Sequence, residues 1–231
     1  MDLSIALAIF EYVVLLLSLS LHDAVQSLVA FRMGDPTANM VGRQTMNPLR
    51  HYDLLGTIVF PLFYLIRSPL IIGWTKDVPM TSRNFKTYRD EMMVYLSGPV
   101  IHLVAAFGCM LVLLILKHAV PSVAEALPTA AALSFRNTSV ATEGLPQIFP
   151  IVLFLYFGIL VNLLLFAYNL LPLPWLDGGK VLRHFLPYNA RQQYDRLGFY
   201  LMFVFFFLGF QMILTIASPI LNFFNGLLFA L

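Results

Sequence analysis

The chain has 231 residues, of which 59% are hydrophobic and only 11% charged, with a net charge of +2. Soluble domains carry about a quarter charged residues, so this composition excludes one and points to a chain embedded in a membrane. The small net charge gives no argument for a nucleic-acid partner, and a single cysteine, Cys109, excludes an intrachain disulfide.

The first apolar run covers residues 4–31. No basic stretch precedes it, so it is expected to be a retained span and not a cleaved signal. Glu11 is costly in lipid, which would allow the span to start as late as Tyr12. Near its end the run reads LSLHDAVQSLVAF, residues 19–31, with His22, Asp23 and Gln26 among apolar neighbours. Polar groups at such depth mark a function or a paired contact. On a helix, His22 and Gln26 are four apart and share a face. His22 lies ten residues before Arg32, roughly 15 Å deeper at the helical rise.

Next comes GDPTANMVGRQTMNP, residues 34–48, punctuated by Gly, Pro and Asn. Its short alternating pieces predict turns and a small β-hairpin at the membrane face. Residues 54–72 are apolar but hold Pro61, Arg67 and Pro69. Such a segment either crosses or dips in and returns, and irregular backbone at depth needs protein or a wet cavity around it. Further spans are expected at about 91–116, 148–171 and 197–217, with Pro219 ahead of a tail helix or a kinked continuation. The stretch 119–147, with three prolines, is expected to be an irregular loop.

Charge decides between the two readings of 54–72. If it dips and returns, twelve of the 14 basic residues lie on one side, and only Lys117 and Arg136 lie opposite. If it crosses, the bias nearly vanishes. The positive-inside rule therefore favours a re-entrant segment with the N-terminus outside. In that arrangement the His22 region and a second polar cluster, NLLPLPWLDGGK from Asn169 to Lys180, approach the membrane from the same side and can meet. The fold class expected is an all-α membrane protein, a single domain over 1–231, with about four spanning helices, a re-entrant segment and the small hairpin.

These pieces together resemble the site-2 protease family of intramembrane zinc metalloproteases. The resemblance rests on the polar motif at His22, GDPTANMVGRQTMNPLRHYDLLGT, GWTKDVP, SGP at residues 97–99, and NLLPLPWLDGG. It spans residues 18–183. It implies zinc, with His22 and Asp177 as two ligands and Gln26 at the position of a third. It also implies Asp23 as the base on a zinc-bound water, and Asn169 near the scissile carbonyl. The chain departs from the family's H-E-x-x-H at two places. Asp23 replaces the glutamate and is one methylene shorter, and Gln26 replaces the second histidine with a neutral amide, a poor zinc donor. His102, where the family usually has Asn, is a candidate substitute ligand.

Each of these residues also has a plainer structural reading. His22 and Asp23 could fix helix packing, Asp177 could cap the short helix that GGKVLRHFL suggests, Asn169 could tie down a helix end, and His51 and Asp53 read as structural. Two functions stand open. One is metal-dependent peptide hydrolysis in the membrane, weakened or lost through the degenerate motif. The other is a non-catalytic relative that binds a transmembrane partner helix through the same groove. A transporter is disfavoured, since no repeated halves are seen. Membrane lipid is an expected partner in every case, and the resemblance implies a prokaryotic cell membrane.

Overall fold

The computed structural model describes residues 3–67, 70–140 and 142–231; for residues 66, 67, 199, 203, 206–208 and 210 it describes the backbone alone. All regular structure among these is helical. The long helices are α1 (Leu3–Arg32), α4 (Tyr88–Ala119), α6 (Phe149–Asn169) and α8 (Tyr188–Ala230). The shorter ones are α2 (Thr37–Met40), α3 (Phe60–Arg67), α5 (Pro121–Ser134) and α7 (Asp177–Phe185). Among the described residues, four segments are long and apolar enough to cross a membrane: α1, α4, α6 and Gln211–Ala230 within α8. The chain is a multi-pass integral membrane protein.

α6 lies at the centre and is buried on almost every face. An apolar helix buried all round is a core helix. It packs against α4, α1, α5 and α8. By contrast α1 exposes Ile5, Ile9, Val13 and Leu17, a four-residue spacing that forms one stripe. α4 likewise exposes Val100, Val104, Phe107 and Leu111. Acyl chains cover such stripes without penalty.

Glu11 does not shorten α1. The helix begins at Leu3, and Glu11 is fully buried within it. Its carboxylate accepts from the Ile71 backbone N–H at 2.7 Å and from Arg136 Nη2 at 2.8 Å. A buried carboxylate persists when it is paired and hydrogen-bonded, and here it is both.

The expected β-hairpin is absent: no strand occurs among the described residues, and 34–48 forms turns around the four-residue α2. Side chains took the place of a ladder. Asp35 is fully buried and accepts from Thr37 N, Thr37 Oγ1, Thr81 N and Asn84 Nδ2 at 2.5–3.1 Å. Short polar side chains that bond nearby backbone compete with sheet pairing, and here they prevail. Gly34 and Gly42 take φ of 109° and 73°, which suits turns and not strands.

Residues 54–72 begin as a π-helical stretch, Leu54–Val59, capped by Asp53, which accepts from Leu55 and Gly56 N–H. This runs on into α3. Ser68 and Pro69 lie outside the described residues. The chain then returns beside its own start: Trp74 N donates to Gly56 O at 3.1 Å and Lys76 N to His51 O at 3.0 Å. The two ends of the segment thus meet.

Within 119–147, α5 replaces much of the expected loop. Val123, Ala126, Leu127, Ala130 and Leu133 recur at helical spacing and are all buried. Pro121 sits in the first turn, where it lacks nothing a helix needs. Pro219 lies inside α8, which continues to Ala230, so the tail is part of that helix.

Candidate active site

α1 brings His22, Asp23 and Gln26 to the wall of a cleft of about 280 Å³. Asn169, at the end of α6, and Asp177, at the start of α7, line the same cleft. These five side chains are all buried.

Two glycines permit this gathering. A Cβ at Gly98 of α4 would collide with His22 Nε2 and Gln26 Nε2, so its absence lets α1 lie close against α4. A Cβ at Gly179 would collide with the Leu173 carbonyl. The Asp-Gly-Gly turn is therefore tight enough to aim Asp177 at α1. Asp177 is the first helical residue of α7, with Leu176 at its N-cap. Its Oδ2 lies 2.8 Å from His22 Nε2.

Asp23 points into a set of donors. Oδ1 faces His22 Nδ1 at 3.1 Å and accepts from Thr75 Oγ1 at 2.9 Å. Oδ2 accepts from Arg43 Nη2 at 2.9 Å and lies 3.0 Å from His51 Nδ1. Arg43 also donates to the Lys76 carbonyl, and His51 Nε2 lies 2.7 Å from the Thr45 carbonyl. Arg43 and His51 are themselves buried. Asp23 thus joins α1 to the 43–51 turn and to the returning limb at Thr75. Of these partners, His51 reads as structural from its sequence, whereas Arg43 and Thr75 lie in stretches that carry the family resemblance, which does not mark them as partners of Asp23. Each sits in an ordinary polar loop.

Gln26 Nε2 donates to the Tyr95 carbonyl at 3.4 Å, and Asn169 Nδ2 donates to the Leu165 carbonyl one turn back. His102 is fully buried on α4, and its ring stacks on His22 with centroids 5.1 Å apart and planes 25° from parallel. Asn162 of α6 fixes it. The Asn162 amide nitrogen donates to the Gly158 carbonyl and to Ser18 Oγ, so its oxygen faces His102 Nδ1 at 2.9 Å. That ring nitrogen carries the proton, which leaves Nε2 an acceptor. It has no hydrogen-bond partner among the described residues.

A hydrolytic zinc centre takes three protein donors and keeps a position for water. His22 and Asp177 supply two, and these are bonded to each other. The third position holds the Gln26 amide, turned by its nitrogen toward a backbone carbonyl. His102 lies parallel to His22. Among the described residues no three His, Cys, Asp or Glu side chains form a group able to hold a metal ion. The donor set does not fit a three-donor hydrolytic centre. What the arrangement does supply is an interhelical clamp: one imidazole between two carboxylates, and one carboxylate between two loops and a helix.

The model of peptidase family M50 matches residues 10–210. The chain is 34% identical over 206 residues to "Putative zinc metalloprotease YwhC" of Bacillus subtilis (strain 168), covering 87% of this chain and 82% of that protein. No solved structure matches.

Proposed function

This chain belongs to peptidase family M50, and we propose that within that family it holds a membrane-protein segment in its cleft without hydrolysing it. The observation that carries this reading is the surroundings of Asp23. A general base must reach the proton it abstracts, through a water at most. Both oxygens of Asp23 instead meet Arg43, His51, Thr75 and His22 within 3.1 Å. Gln26 adds to the case, since a neutral amide replaces an imidazole at the third donor position. The cleft itself remains shaped for a guest. Trp74, Trp175 and Leu19 line it beside the polar floor, which suits an extended chain with apolar side groups.

The test compares zinc content and cleavage in the detergent-purified wild type and a Gln26→His variant. The wild type is expected to retain well under one equivalent of zinc after dialysis and to leave a single-span peptide substrate intact. Gln26→His restores a second imidazole one turn from His22 and is expected to raise zinc binding. One equivalent of zinc in the wild type, lost in Asp177→Asn and accompanied by cleavage, would sink the proposal.

A further inference from the structure

A second, polar pocket of about 240 Å³ lies beyond the cleft, where α4, α7 and α8 begin. α7 contributes Lys180, Arg183 and His184, and the first turn of α8 contributes Arg191. The facing wall is Ser82 with Tyr88, Glu91 and Tyr95 of α4. One acid therefore faces three fixed cations and a histidine.

Glu91 is already matched. Ser82 Oγ donates to it at 2.9 Å, the Tyr95 hydroxyl at 3.5 Å, and His184 Nε2 stands 3.9 Å from its other oxygen. The cations are less committed. Lys180 pairs with Asp77, whose side chain is 73% exposed, and Arg183 with Asp195, where both partners are about half exposed. The Lys180–Asp77 pair rests on an exposed carboxylate and is readily exchanged, whereas Arg183 grips Asp195 through Nε and Nη2 at 2.9–3.1 Å. Arg191 has no carboxylate partner among the described residues. Its Nη2 reaches the Leu186 carbonyl at only 3.4 Å, and its Nε is buried with no partner. A buried guanidinium donor left unmatched is costly unless an acceptor arrives.

We propose that this pocket binds a phosphate group, held by Arg191, Arg183 and Lys180, with an anionic phospholipid headgroup as the source. Arginine and lysine are the side chains that recognise phosphate oxygens, and basic pockets between spanning helices take anionic headgroups. The mouth favours the lipid over a free ion. Tyr88, which lines the pocket, is exposed, as are Phe185 and Tyr188, within three residues in sequence of its lining residues His184 and Arg191, and such aromatic residues settle at the level of headgroups. The pocket shares Lys180 with the cleft, so an occupant there would steady the start of α7, which carries Asp177. The proposal does not depend on whether the cleft hydrolyses peptides.

The experiment is thermal unfolding of the full-length protein in neutral detergent. The additions are phosphatidylglycerol, phosphatidylcholine or inorganic phosphate, the last against chloride of equal ionic strength. Phosphatidylglycerol is expected to raise Tm by about 3 °C at saturation, and phosphatidylcholine to leave it unchanged. Arg191→Gln and Arg183→Gln should each abolish the rise, while Lys117→Gln, at the far end of α4, should keep it. A rise with inorganic phosphate that is lost in the same variants also supports the pocket, and assigns its ligand to the aqueous phase. No rise with either phosphatidylglycerol or inorganic phosphate in the wild type overturns the proposal. So does a rise that persists undiminished in both arginine variants. Should Arg191→Gln fail to fold, Arg191→Lys is expected to retain part of the effect.

Discussion

At the scale of single residues, the most consequential side chain is Asp23. It is 2% exposed, and its oxygens satisfy groups from three separate segments. Removing one partner of a buried pair leaves the other charge uncompensated, at a cost of about 3–5 kcal/mol. Asp23→Ala is therefore expected to lower Tm sharply, and Arg43→Ala to do nearly the same. The double variant should lose much less than the sum, because the two share one interaction. Unfolding followed by intrinsic fluorescence in detergent reads all three. A purely catalytic Asp23 would leave Tm unchanged or raise it. Asp35, outside the spanning segments, acts by a different balance. Burial pushes its carboxyl up, but donations from Thr37, Asn84 and the Thr81 backbone outweigh this and hold it below the usual carboxylate range. A carboxylate with a lowered folded-state pKa stabilises the protein above its unfolded-state pKa of about 3.9, and that contribution is lost as pH falls through the folded-state value. Asp35→Asn should thus be less stable than wild type at neutral pH and lose less on acidification to pH 3. Parallel acid limbs in the two proteins would contradict this.

Among the elements, the contact of α1 with α4 decides whether the centre can form. It depends on Gly98, because the space a Cβ would fill is taken by His22 and Gln26. Gly98→Ala must push both side chains aside, and overpacking of this kind costs typically about 1–3 kcal/mol. The expected result is a lower Tm together with loss of the His22–Asp177 bond. Imidazole nitrogen shifts of labelled His22 would report that loss directly. An unchanged His22 signal would mean that the helices part to accommodate the methyl. The elements also show what sequence can and cannot carry. The four long helices are legible because bilayer thickness imposes a run of apolar residues. The shared face of His22 and Gln26 follows from helical periodicity alone. α5 escapes notice because proline reads as a breaker, although Pro121 occupies a position where proline is welcome. The hairpin fails for the opposite reason. Alternation suggested strands, but alternation says nothing of Asp35, whose four donors fold the chain into turns. The partners of Asp23 lie 20, 28 and 52 residues away in sequence, and no local pattern records a contact at such distance.

For the whole molecule, the distribution of charge and the path of the chain bear on orientation together. Residues 54–72 leave and return beside His51, so the segments before and after them share one side of the fold. If residues 54–72 dip and return, that side is expected to hold twelve of the 14 lysines and arginines. Positive charge near spanning helices is retained in the cytoplasm. The opposite side holds Lys117 and Arg136, and Arg136 turns back to donate to Ser4 O and Glu11 Oε2 at the start of α1. The expected topology has the N-terminus outside and the cleft and phosphate pocket facing the cytoplasm. Because Cys109 is the single cysteine, a Cys109→Ala background reports one introduced thiol at a time. Ser139→Cys, in the loop after α5, should react with a membrane-impermeant maleimide on intact cells. Asn189→Cys, in the first turn of α8, should react only once the cells are opened. The reverse pattern would invert the molecule and place the basic face outside. Labelling of both sites on intact cells would mean that residues 54–72 do not hold the two halves to the topology their charges favour.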